Sequence, residues 1–166
     1  MNKILTITFT AIAMLMTSTV RSQDENPLQP FERLIGGQWQ LDESYQELEW
    51  GVGRQSVRAR SYFVIAGEAK LVSEGYWYWH PGEKQIKGLF TAIEMPVVLF
   101  EYTTRFEGNT MVNDLKTYAA DGNETVFTET WKVVDDNQFE WKLTSVMPDG
   151  SDAMMSGRYV RTDPPE

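Results

Sequence analysis

From Gln38 onward the chain is written in a two-residue period, and that rhythm restricts its fold more than any other feature. Phe127, Glu129, Trp131 and Val133 fall on one face of a strand, with Val126, Thr128, Thr130 and Lys132 on the other. Phe139, Trp141 and Leu143 likewise oppose Glu140, Lys142 and Thr144. Between such runs lie clusters that tolerate positive φ or preset a turn: Ala66-Gly67, Pro81-Gly82, Gly108-Asn109, Asp121-Gly122-Asn123, Asp135-Asp136-Asn137 and Pro148-Asp149-Gly150. Eight or more strands on tight turns must stack as two sheets or close on themselves, and closure alone removes the edges that invite aggregation. The pattern predicts an all-β, antiparallel up-and-down barrel. A Greek-key sandwich comes second, because these turns are hairpin-like rather than long.

What precedes the strands reads differently. Lys3, an apolar run over residues 4–16 and the small, polar Thr17-Ser18-Thr19 predict a signal peptide over 1–22, cut before Gln23. The apolar run falls short of the ~20 residues a spanning helix needs, and Arg21 arrives too early. The expectation is a periplasmic or secreted protein with no membrane insertion after cleavage. Residues 23–30 are expected to form a flexible leader, and 31–162 a single barrel domain. At its start Pro30 opens a short helical turn in which Phe31, Leu34 and Ile35 share a face, and Gly36-Gly37 ends it.

Composition removes several classes of function. The chain has no cysteine, so a disulfide framework and a lipid-anchored cysteine are both excluded. Its net charge is −9, becoming −11 if Lys3 and Arg21 leave with the signal peptide. A surface that acidic repels phosphate backbones and anionic headgroups, which argues against nucleic-acid and membrane-surface partners. His80 is the one histidine, so multi-histidine metal sites and His-dependent triads are out; a single axial bond to haem is the remaining cofactor option. Asn123-Glu124-Thr125 matches a glycosylation acceptor, of consequence in a eukaryotic secretory pathway alone.

Several residues are candidates for a site. In Tyr76-Trp77-Tyr78-Trp79 both strand faces carry rings, which suits either packing or a stacking wall for a flat apolar ligand. Glu129, between Phe127 and Trp131, is either an inward carboxylate or a residue left in solvent by a bulge. If inward, burial raises its pKa unless a cation pairs with it, and Arg54, Arg58 and Arg60 come from one strand region, of which Arg58 and Arg60 share a face, so the partner is expected there. Ser73, Asn113, Thr117 and Ser156 are further inward polar candidates, and Met95, Met111, Met147, Met154 and Met155 add adaptable apolar surface. The ligand-binding set is thus Glu129, Arg58, Tyr76, Trp77, Tyr102, Trp131 and Trp141, with no catalytic and no metal residue assigned.

One local motif carries a resemblance. Gly37-Gln38-Trp39, entered from the leader Phe31-Glu32-Arg33-Leu34-Ile35-Gly36, resembles the start of the lipocalins and calycin-like barrels. It is similar above all to lipocalin-like exported bacterial families of unknown function. The resemblance implies that Trp39 packs at the closed end of the barrel, with Arg158 or Arg161 from the last strand over its ring. It also implies a small hydrophobic or amphipathic ligand held inside. Two other functions compete: an isomerase, lyase or decarboxylase using Glu129 with Tyr62 or Tyr102, and an envelope protein docking a partner on exposed rings near Tyr76.

Overall fold

A computed structural model describes residues 26–146 and 152–162. The expected signal peptide, residues 23–25, Met147 and the Pro148-Asp149-Gly150 turn lie outside the described residues. The strands are β1 (Gln38–Leu41), β2 (Ser44–Trp50), β3 (Ser56–Ile65), β4 (Glu68–His80), β5 (Gln85–Ala92), β6 (Val97–Glu107), β7 (Thr110–Ala119), β8 (Glu124–Asp135), β9 (Gln138–Val146) and β10 (Asp152–Thr162). Each pairs antiparallel with its sequence neighbours, and β1 also pairs with β10 to close a barrel. This is the up-and-down barrel that the two-residue rhythm predicts, with ten strands where lipocalins have eight.

The closing seam is short. β1 meets β10 at three pairs, Gln38↔Thr162, Trp39↔Arg161 and Gln40↔Val160. Side chains reinforce it at one end. A 3-10 helix (Gln29–Leu34) lies across that end, and Leu28, Phe31 and Leu34 are at most 1% exposed. Three residues per turn puts 28, 31 and 34 in line, so Leu28 takes the inward place expected of Ile35, which is half-buried. Ordered packing therefore begins before residue 31: Asn26 accepts the Leu28 N–H at 3.0 Å and donates to the Arg54 carbonyl. Each of the three inward side chains contributes about 1.5–3 kcal/mol by burial.

Trp39 lies beneath this plug with no exposure, its indole N–H donating to the Leu34 carbonyl at 2.8 Å. Arg161 covers it, the guanidinium 4.4 Å from the ring centroid while one of its N–H groups donates to the Arg33 carbonyl. Gly37 makes this possible twice over. Its φ is +69°, and a Cβ there would stand 2.9 Å from the Arg161 Cγ. Arg158 points away from Trp39 into solvent, bonded to Glu140 at 3.2 Å, because it is the alternate face of β10 from Arg161 by an odd spacing of three.

Rings fill the sealed half. Trp131 stacks on Phe139 at 4.9 Å, Phe139 on Tyr159 at 4.7 Å, and Phe31 meets Phe106 edge to face at 5.0 Å. The aromatic run divides by parity: Trp77 is buried and Trp79 half-buried against the core, whereas Tyr76 and Tyr78 face outward. No described helix is long and apolar enough to cross a membrane.

Candidate functional site

The barrel is solid at the helix end and hollow toward the other. A cavity of about 350 Å³ runs from its middle to the mouth formed by the β1–β2, β3–β4 and β5–β6 turns. Trp77, Phe90, Tyr102, Trp131, Trp141 and Tyr159 give it aromatic walls. Ala59, Val72, Met95 and Met155 add aliphatic surface, and Gln46, Ser61, Ser73 and Glu129 supply polar atoms. The volume sits at the lower end of the range for small-molecule sites, ~300–1,000 Å³.

Two glycines shape the wall. Gly88 pairs with Trp77 across β4 and β5, and Gly75 with Phe90. A Cβ on Gly88 would lie 2.8 Å from Trp77 Cδ1, and one on Gly75 would lie 2.4 Å from Phe90 Cγ. Each ring therefore lies down on the glycine opposite it instead of standing across the lumen. Their centroids are 4.6 Å apart, tilted by 60°.

Glu129 is the one acidic side chain on the cavity lining among the described residues, 7% exposed and inward. The irregularity in the β8–β9 pairing falls at Val133/Asp135, so no bulge turns Glu129 outward. A chain of hydrogen bonds across β6 to β9 holds it. Thr104 Oγ1 donates to Asn113 Oδ1, Asn113 Nδ2 donates to Glu129 Oε2, and Trp141 Nε1 donates to Glu129 Oε1, each at 2.7 Å. Burial pushes the carboxyl pKa up; the Trp141, Trp131 and Asn113 donors pull it back down. Trp131 does so without completing a hydrogen bond, since its indole N–H has no partner in hydrogen-bonding geometry. Burial, then the Glu129 charge, raises the Tyr102 phenol well above its ordinary value and pushes Tyr159 up to about 12.

Of the candidates, Glu129, Trp77, Tyr102, Trp131 and Trp141 converge on this cavity. Arg58 does not. Val57 and Ala59 take the inward positions of β3, so Arg58 and Arg60 face outward, Arg58 3.4 Å from Glu49 and 3.7 Å from Glu74. The expected pairing of Glu129 with an arginine is thus replaced by neutral donors on Glu129. Tyr76 is also outside, 45% exposed, because parity with Trp77 forbids both from entering. Its outward neighbours include Arg58, Glu74, Lys87 and Glu101, so charge interrupts any apolar patch it forms with Tyr78 and Leu89. Ser156 is exposed, whereas Ser73 reaches the cavity and Asn113 and Thr117 are buried. His80 sits at the end of β4 away from the cavity lining, its Nδ1 accepting the Glu83 N–H at 3.0 Å. No group of three or more metal-ligating side chains occurs among the described residues.

Phe90 and Tyr159 are cavity residues that the candidate set lacks. Both were accessible to parity: Ile86, Gly88, Phe90 and Ala92 form one face of β5, and Tyr159 shares a face of β10 with Arg161. For the enzymatic alternative, Tyr62 and Tyr102 both border the cavity, yet among the described residues neither hydrogen-bonds Glu129.

The structure defines a class: a closed antiparallel barrel, sealed at one end by a short helix, enclosing an aromatic cavity with one carboxyl group among the described residues. No protein-family model and no curated protein sequence matches the chain.

Proposed function

We propose that the protein is an exported barrel that binds a small hydrophobic or amphipathic molecule inside its lumen. One observation carries this: a cavity of about 350 Å³, sealed at one end and, among the described residues, open at the other and walled by rings around a single carboxyl group. A space of that size that opens at a mouth with polar atoms on its wall holds water or a ligand. An apolar molecule that displaces poorly bonded water from such walls gains affinity.

N-phenyl-1-naphthylamine, a dye that brightens in apolar surroundings, supplies the test. Titration into the purified protein is expected to give saturable one-to-one enhancement. Ala59→Phe, which fills the lumen from a position 3% exposed, is expected to abolish it. Non-saturable enhancement, or equal binding by the filled variant, sinks the proposal. Export rests on residues 1–22 and is checked separately: a mature chain whose mass places its N-terminus at Gln23 supports it, and an intact leader on the accumulated protein refutes it.

A further inference from the structure

Resting on the reading that the cavity is a binding site, we propose that its occupant is an organic cation: a small amine whose ammonium group pairs with Glu129 while its apolar body lies among the rings of Trp77, Trp131 and Tyr102.

Trp indoles are donors only, and Asn113 presents its amide N–H, so Glu129 is held by groups suited to its ionised, accepting form. Each oxygen takes one hydrogen bond, at 2.7 Å, and retains a second lone pair. No Lys, Arg or His lines the cavity among the described residues. The titratable groups around the carboxylate are Tyr102 on β6 and Tyr159 on β10, both kept protonated by burial and by Glu129 itself. Ionised, Glu129 is a buried negative charge with neutral donors and, among the described residues, no counter-charge on the cavity lining, an expensive arrangement that a bound cation relieves.

Two further features favour a cation. Elsewhere in this fold the faces of Trp39 and Trp50 are each covered by an arginine, whereas no guanidinium covers Trp77, Trp131 or Trp141 among the described residues. Indole rings beside a carboxylate attract an ammonium group, and lose nothing when the rest of the ligand is flat and apolar. At the mouth, Asp42 lies near enough to Tyr159 to raise its pKa, and the chain as a whole carries −9, so the field draws cations toward the opening and repels anions.

Three probes of one shape separate the possibilities: 2-phenylethylamine, 2-phenylethanol and 3-phenylpropanoate, titrated calorimetrically into the full chain at pH 7. The amine is expected to bind at least tenfold more tightly than the alcohol, with the carboxylate weakest. In Glu129→Gln the amine should fall to within about threefold of the alcohol. Between pH 7 and pH 4 the amine keeps its charge (~10 for an alkylammonium). Its affinity in the native chain should therefore drop as Glu129 takes up a proton, a readout that stands even if the Gln variant fails to fold. Equal affinity for amine and alcohol, with no pH dependence, overturns the cation while leaving the lumen as a binding site. If none of the three binds and the naphthylamine dye also fails, the binding site itself is refuted and the cation with it.

Discussion

Phe31 bears most directly on whether a helix of six residues can seal a ten-stranded barrel. Its ring is wholly buried, 5.3 Å from Trp77 and 5.0 Å from Phe106, so it touches both the plug and the floor of the cavity. Phe31→Ala removes a ring from a site that cannot collapse. The helix is fixed by the Trp39 bond to Leu34 and the Arg161 bond to Arg33, which prevent it from sliding inward. A cost in the middle of the ~3–5 kcal/mol range for Phe→Ala is expected, about 4 kcal/mol. At ~3–4 °C per kcal/mol for a domain of this size, Tm should fall by about 12–16 °C. Phe31→Leu keeps most of the volume and should cost less than ~1.5 kcal/mol, under about 6 °C. Thermal unfolding followed by far-UV circular dichroism measures both, with Val52→Ala at a 92% exposed position as the control. A drop of less than about 3 °C for Phe31→Ala, or equal damage from both substitutions, would refute the claim that this ring closes the barrel.

Three other outcomes follow from the same geometry. Gly37→Ala places a Cβ 2.9 Å from Arg161 Cγ at a φ of +69°, which should cost about 1–3 kcal/mol and loosen the seam; amide exchange in β1 and β10 should speed up while β6 and β7 stay protected. Gly88→Ala pushes Trp77 off the wall from 2.8 Å and should weaken naphthylamine binding by about tenfold or more, with a changed tryptophan emission; unchanged binding would show that the ring does not depend on that glycine. Because the folded-state pKa of Glu129 is raised, its contribution to stability is fully present below the ordinary carboxylate value of ~4.3 and is lost as pH rises through the folded value. The stability of the native chain relative to Glu129→Gln, from urea midpoints between pH 4 and pH 8, should accordingly decline with pH; a rising difference would mean that the donors outweigh burial.

Parity made the barrel and much of the lumen legible before any coordinates. Phe127, Glu129, Trp131 and Val133 all point inward as their spacing requires, and the described turn clusters all join consecutive strands. Two turns that carried no signal bear their positive φ on a residue other than glycine: Asp42 at +51° between β1 and β2, and Glu94 at +58° between β5 and β6. Propensity says little there, since tertiary context forces the conformation. The error over Arg58 has a different origin. Alternation assigns it to one of two faces but does not say which is inside, and three cross-strand carboxylates, Glu47, Glu49 and Glu74, make the outer face of β3 the favourable one. Nor could spacing reveal the donors on Glu129. Asn113 and Trp141 lie on the two strands flanking β8, a neighbourhood that exists only once the register is fixed.

That register also explains why the lumen is hollow on one side. Inward positions of β3, β4 and β5 include the small Ala59, Ser61, Ser73, Gly75, Gly88 and Ala92, and two of their large members, Trp77 and Phe90, lie flat on glycines. Inward positions of β6, β8, β9 and β10 carry Tyr102, Trp131, Trp141 and Tyr159 instead. A barrel of ten strands is wide enough that small side chains facing large ones leave a gap, whereas large facing large, as at the helix end, fills it. The carboxyl group is mounted on the large-residue side, where rigid indoles hold it, and the free volume is left on the small-residue side. Substitutions at Ala59, Ser61 or Ser73 should therefore change which molecules fit at little cost in stability, while truncating Trp131 or Trp141 should cost stability and the orientation of Glu129 together.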